Sequence, residues 1–371
     1  MRVLQLLPEL NEGGIERGVV ELNREFTKQG IESLVISKGG KLVPQIISDG
    51  GQHFTLNICD KNLLSVPSRI KQLRAKLTEL KPDILHARSR VPAWLTWFAN
   101  RQLQIPFVTT VHGMNSVNRY SQIMSQGEHV ICVSEVIKSY LLEHYPVDKK
   151  NLTVIQRGVD MQLFNPNQLD QEFIKSFLTQ NELHNRFIVS SVGRITFLKD
   201  YETFIKAIAQ CAKTIPEITG VIIGGVREDK TTYLESLKRL TQDLGIEKQI
   251  LFVGTQSKMA ELYKLSDIVV NASLKMSNVG RTVVEALAMN TPVIATTFDG
   301  LQNIVHDEVN GYVINTQDSD QLSDRILRLN KTPITDTRST IPYEFTLEAM
   351  VKNTTDVYQN LLHSHGHFDS A

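Results

Sequence analysis

The chain has 371 residues, beyond the roughly 250–300 at which a single hydrophobic core usually divides, so two domains are expected. Hydrophobic residues make up 41% and charged residues 22%, which is globular. No uncharged apolar run reaches the ~18 residues of a membrane-spanning helix, and the opening Met1-Arg2-Val3-Leu4-Gln5 is interrupted too soon for a signal peptide.

The formal net charge of zero hides an asymmetry. Residues 1–165 carry 20 Lys+Arg against 15 Asp+Glu, and residues 166–371 carry 20 against 25. A basic first half suits an anionic acceptor or an anionic membrane surface, and equally a solvated helix face. The basic residues lack interleaved aromatics, which argues against nucleic acid as a partner. Cys59, Cys132 and Cys211 form neither a disulfide framework nor a zinc pattern and fit a reducing, cytoplasmic setting.

Along the chain, short apolar runs alternate with segments of helical period, the pattern of parallel sheets with crossover helices. Strands are predicted at 3–7, 33–36, 84–86, 107–111, 129–132 and 152–155, with helices including 14–29, 68–80 and 134–144. The pattern restarts with strands at 187–192, 219–223, 250–253, 268–271 and 292–296 and helices at 200–214, 233–244, 257–265 and 280–289. The polar stretch 160–185 reads as an irregular seam. The expected division is 1–168, 169–345, and a C-terminal helix and tail over 346–371. Asp318-Ser319-Asp320 reads as a capped surface turn and His363-Ser364-His365-Gly366-His367 as a frayed tail rather than a metal tract.

Open parallel sheets bind ligands at the carboxyl ends of their strands, and several motifs fall there. Gly13-Gly14 follows the first strand and opens a helix, so backbone and helix N–H groups can approach an anion; a plain tight turn reads equally well. His112-Gly113 ends a strand, placing an imidazole where it can bond a substrate hydroxyl. Arg194 and Lys199 follow the first strand of the second half; a guanidinium fork and an ammonium suit a diphosphate. Asn271 to Ala295 is a strand, a loop, a helix and a strand. Backbone N–H groups of Asn278, Val279 and Gly280 are expected to point at an anion or hydroxyl, and Glu285 lies on the helix face that could reach a ribose diol. Arg88 and Arg90 follow a strand in the first half and suit a carboxylate- or phosphate-bearing ligand, which the resemblance below makes the acceptor.

Taken together these segments resemble the retaining glycosyltransferases of family 4. The resemblance rests on Gly13-Gly14-Ile15-Glu16-Arg17, His112-Gly113, Gln156-Arg157-Gly158-Val159-Asp160, Gly193-Arg194 with Lys199, and Gly280-Arg281-Thr282-Val283-Val284-Glu285-Ala286. It implies the GT-B fold: α/β, two Rossmann-like domains with parallel sheets facing an interdomain cleft. It also implies a nucleotide-diphosphate sugar of UDP or GDP type as co-substrate, with no other cofactor and no metal. By the same resemblance Gly14 lies against the donor diphosphate, Arg194 and Lys199 bind its phosphates, Glu285 holds the ribose and His112 contacts the transferred sugar.

One departure stands out. The family's first motif glutamate aligns with Ser277, and losing a charge-assisted hydrogen bond of about 1.5–3 kcal/mol leaves either a slower enzyme, an unusual donor sugar or a compensating neighbour. The segment from Leu85 to Trp94 is most similar to the bacterial branch acting on lipopolysaccharide core. The leading expectation is therefore sugar transfer to a lipopolysaccharide core or related anionic glycolipid. Other expectations are capsular or lipid-linked polysaccharide assembly, or a donor-binding protein with reduced activity. Basic, amphipathic residues 68–81 suggest peripheral contact with the inner membrane.

Overall fold

The computed structural model describes residues 1–11, 13–226, 231–275, 280–297 and 301–366. They form two compact units, one of Met1–Gly158 with Leu347–Ala371 and one of Val159–Thr346, so the division falls ahead of the expected residue 168.

The first unit runs β1 (Arg2–Leu6), α1 (Gly14–Lys28), β2 (Glu32–Ser37), α2 (Val43–Ser48), β3 (Gln52–Thr55), α3 (Val66–Leu80), β4 (Ile84–Ala87) and α4 (Arg90–Asn100). It continues with β5 (Phe107–Val111), β6 (His129–Cys132), α5 (Glu135–His144) and β7 (Leu152–Val154). Its strands form a seven-stranded sheet of order β3-β2-β1-β4-β5-β6-β7, and every adjacent pair is parallel. A parallel sheet covered by helices on both faces selects continuous apolar strands, and β4 and β5 are buried throughout.

The second unit holds α6 (Gln171–Gln180), β8 (Phe187–Val192), α7 (Tyr201–Cys211), β9 (Ile218–Ile223), α8 (Thr232–Asp243), β10 (Ile250–Gly254) and α9 (Met259–Leu265). After these come β11 (Ile268–Asn271), α10 (Arg281–Ala288), β12 (Val293–Thr296), β13 (Gly311–Ile314) and α11 (Ser319–Lys331). Its sheet is six-stranded, parallel, of order β10-β9-β8-β11-β12-β13.

The closing helix α12 (Leu347–Ser364) belongs to the first unit. Its Leu347, Met350, Val351, Val357 and Tyr358 pack with Val3, Ile84, Val108 and Ile131 of the sheet. Tyr358 also meets Phe26 of α1, ring centroids 6.0 Å apart.

Several sequence readings are corrected. The seam at 160–185 contains α6, whose N-cap Asp170 accepts from Phe173 N–H at 3.0 Å. Asp318-Ser319-Asp320 is the start of α11, with Asp318 accepting from Gln321 N–H at 2.8 Å. The C-terminal residues do not fray at 363: α12 runs to Ser364, and His365 Nε2 lies 2.6 Å from Glu128 Oε2. His367 lies outside the described residues.

Tyr358 is fully buried and its hydroxyl meets His86 Nδ1 at 2.5 Å, while His86 Nε2 meets Thr110 Oγ1 at 2.6 Å. Tyr358→Phe leaves a ring nitrogen buried without its partner, a cost of about 1–3 kcal/mol. Denaturant unfolding followed by a probe in the first unit is expected to shift accordingly.

Candidate active site

In the first unit the crossovers leave β1 and β4 in opposite directions, so the sheet has its topological reversal between those strands. Side chains and loops at their carboxyl ends line the place where such sheets take ligands. After β1 the chain is held to its neighbour by Leu7 N–H to Ile36 O at 3.2 Å and Leu10 N–H to Gly39 O at 2.9 Å. It then enters α1 at Gly14.

A Cβ on Gly14 would stand 2.2 Å from Nη1 of Arg157, so glycine lets the guanidinium rest against the helix start, and a larger residue would displace that end of the side chain. Arg157 arrives from the segment after β7, and its Nη2 lies 3.1 Å from His112 Nδ1. A guanidinium only donates, so Nδ1 accepts and the proton of the neutral ring sits on Nε2. Burial holds the His112 pKa well below its ordinary value, and the positive charges of Arg157 and then Arg88 push it the same way. The half-buried imidazole is thus a neutral ring with Nε2–H as its donor.

The two arginines expected to act together on an acceptor do not share surroundings. Arg88 is buried, its Nη2 donating to Gln5 Oε1 at 2.6 Å and its Nη1 to Thr110 Oγ1 at 3.2 Å. It completes a polar layer with His86 and Tyr358 rather than an open edge. Arg90 begins α4, donates to Ser121 Oγ at 3.1 Å and lies over the Tyr120 ring at 5.1 Å.

The second sheet reverses between β8 and β11, and again the loops beyond those strands carry the expected residues. Gly193 has φ 152°, and a Cβ there would stand 2.6 Å from Lys199 Cε, so the lysine stem lies across the glycine. Tyr201 Oη donates to Gly193 O at 2.6 Å, and Leu274 N–H bonds Leu198 O at 2.9 Å, joining the loop after β11 to the turn that carries Lys199. Arg194 is exposed and Lys199 half-buried. Burial lowers the Lys199 pKa, and the adjacent Arg194 charge lowers it further.

Gly280 caps α10, its carbonyl accepting from Val283 and Val284 N–H at 2.8 and 3.0 Å. Ser277, Asn278 and Val279 lie outside the described residues. Glu285 is not a solvated helix carboxylate. It is buried, with Oε2 accepting from Tyr263 Oη at 2.8 Å and Oε1 from Arg281 Nε at 2.7 Å.

Sequence reasoning gave no role to Arg157, Tyr263 or Arg281. The Arg281–Glu285 pairing has a signal, the i,i+4 spacing on one helix. The Arg157 contact has none, since it joins segments 143 positions apart, from Gly14 to Arg157.

Two parallel sheets, each with a glycine turn and cations at its reversal, are the frame of a GT-B glycosyltransferase. Residues 12–163 match the Glycosyltransferase Family 4 model and residues 173–342 the Glycosyl transferases group 1 model, so together the two account for most of the chain. The chain is a glycosyltransferase of GT-B type.

Among relatives, a D-inositol 3-phosphate glycosyltransferase of Mycolicibacterium smegmatis is 26% identical over 346 residues, 87% of this chain and 76% of that protein. The structure of a glycosyltransferase from Rickettsia africae is 27% identical with TM-score 0.88, covering 97% of this chain and 98% of the other. Anabaena Alr3699/HepE in complex with UDP-glucose shares the fold at 19% identity and TM-score 0.83, covering 97% and 100%.

Two outcomes follow from the histidines. Arg157→Gln removes a nearby positive charge and is expected to raise the His112 pKa, read by NMR titration of the ring protons; an unchanged pKa contradicts the contact. His86 and His112 both have folded pKa values below the ordinary 6.5. Above the unfolded pKa both states are neutral and stability is flat. As pH falls below about 6.5 the unfolded state takes up protons first, so stability is lost by up to ~1.4 kcal/mol per pH unit for each histidine. Removing either ring should flatten the slope measured by denaturant unfolding.

Proposed function

We propose that this glycosyltransferase moves a sugar from a nucleotide-diphosphate donor to an anionic acceptor with retention of anomeric configuration, and needs no resident metal to do so. The observation that carries the donor reading is the Arg194–Lys199 pair. Burial lowers the Lys199 pKa and the Arg194 charge lowers it further, and a diphosphate bound to both cations would offset both effects. UDP-glucose bound to the Anabaena neighbour supports this class of donor.

In the proposed reaction an acceptor hydroxyl oxygen forms the bond to the anomeric carbon as the bond to the donor phosphate oxygen breaks, both on the same face. The acceptor proton passes to the departing phosphate. Arg194 and Lys199 hold the charge that develops there, Gly14 admits the diphosphate close to the α1 backbone, and His112 donates from Nε2 to a sugar hydroxyl. Gly280 with Ser277, Asn278 and Val279 contributes backbone contacts, and Glu285 accepts from the ribose.

For the acceptor, the first reading is a lipopolysaccharide core or related anionic glycolipid, supported by the basic first half and the motif around Arg88 and Arg90. A second reading, a phosphorylated polyol, is favoured by the D-inositol 3-phosphate glycosyltransferases among the relatives. Both share an anionic group, and assays with each acceptor class separate them.

A thermal-shift panel of UDP-, GDP- and ADP-sugars should raise the unfolding temperature with the true donor, in proportion to occupancy. If none does, the donor reading fails. Lys199→Ala is expected to lower kcat/KM by about 10- to 150-fold, the equivalent of one charge-assisted hydrogen bond. Affinity for the nucleoside diphosphate should also weaken as pH rises through the lowered Lys199 pKa, because the neutral amine no longer pairs with phosphate. Lys199→Arg should push that loss to higher pH. If donor binds but only Ser277→Glu turns it over, the natural protein is a donor-binding protein instead. Activity that EDTA abolishes would refute the metal-free mechanism.

A further inference from the structure

Outside the residues given roles above, the first unit contains a cavity of about 440 Å³. Its walls are aliphatic and aromatic: Leu63 and Val66 on one side, Val91, Trp94, Leu95 and Phe98 of α4 on the other. Both walls are fastened. Arg69, also a lining residue, donates to Asp60 O at 2.8 Å, Asn62 O at 3.0 Å and Ser65 Oγ at 3.0 Å, which fixes the 60–65 turn. Trp94 Nε1 donates to Tyr120 O at 3.0 Å, and Arg90 lies over the Tyr120 ring.

The fixed turn presents Leu63 and Leu64 to solvent at 82% and 92% exposure. Two large apolar side chains left open by a pinned loop beside an apolar cavity are costly in water unless something apolar joins them. A nucleotide or sugar needs polar partners that these walls do not supply. The edge carries charge of both signs, with Asp60 and Lys61 among the lining residues, while the segment Asp60–Arg101 as a whole holds nine basic residues against three acidic ones.

We propose that this cavity receives the hydrocarbon chain of a lipid-linked acceptor, with the anionic head group of that lipid near Lys61 at its edge. The proposal rests on the glycolipid reading of the acceptor. It makes the cavity a specificity site for acylated over water-soluble acceptors.

The chain has only two tryptophans, Trp94 in the wall and Trp97 beside it at 5.9 Å between rings, so intrinsic fluorescence reports on the cavity directly. The test titrates the whole protein with a brominated medium-chain fatty acid below its micelle concentration. The expected result is saturable quenching, mostly lost in Trp94→Phe. Val91→Phe, which fills the wall, should weaken the apparent affinity about tenfold. Leu63→Ser, on the exposed turn and harmless to folding, should weaken it in the same direction. Quenching that never saturates, or titrations identical in both variants, overturns the proposal.

A second arm compares KM for an acylated acceptor and its deacylated form. A lower KM for the acylated form, lost in Leu63→Ser, supports the cavity's role, and equal values overturn it. The fluorescence result does not depend on turnover. Saturable binding in a protein that transfers no sugar would therefore sink the transfer reading alone, and transfer without chain binding would sink only the cavity.

Discussion

A parallel sheet covered on both faces gives polar side chains almost nowhere to go. Its strands must be apolar on each face, and a buried polar group without a partner costs about 1–3 kcal/mol. Chemistry is therefore forced to the strand ends, and the order of strands decides where. Each unit reverses its strand order once, between β1 and β4 and between β8 and β11, and the loops beyond those ends carry Gly14 and Arg88 in one unit and Arg194 and Lys199 in the other. The layer Gln5–His86–Arg88–Thr110–Tyr358 is the exception that shows the rule. These polar groups enter the sheet interior as a bonded chain whose last member comes from α12.

Charge placement at those ends disfavours further protonation. Arg157 and Arg88 both disfavour a proton on His112, and Arg194 disfavours one on Lys199. Like charges gathered at strand ends are what a structural role would avoid and what an anionic ligand would reward. A neutral His112 with its proton directed to Nε2 is the form that the proposed contact with a sugar hydroxyl would use.

The strands of both sheets were largely legible because parallel strands read as apolar runs, and those at 107–111, 129–132, 187–192 and 268–271 coincide with β5, β6, β8 and β11. The strand β3 escaped because it is an edge strand with exposed and half-buried positions only, so it has no apolar run to detect. The helix α6 escaped because it buries only Phe177. At the site, the residue types and their strand-end positions were readable, whereas their surroundings were not. Nothing local distinguishes Arg88, drawn inward by Gln5 and Thr110, from Arg90, laid over Tyr120. Burial by distant segments decides that, and it does not appear in spacing.

Glu285 shows how a carboxylate can be anchored inside the fold and still keep acceptor capacity. Tyr263 and Arg281 each take one oxygen, which anchors the side chain inside the second unit. An ionised carboxylate has about four lone-pair sites, so two of them remain for a diol without breaking either bond. A glutamine at this position would keep its one oxygen for either Tyr263 or Arg281 and turn an NH2 toward the other. The ion pair to Arg281 would then be lost, together with the acceptor capacity that the proposed ribose contact would use.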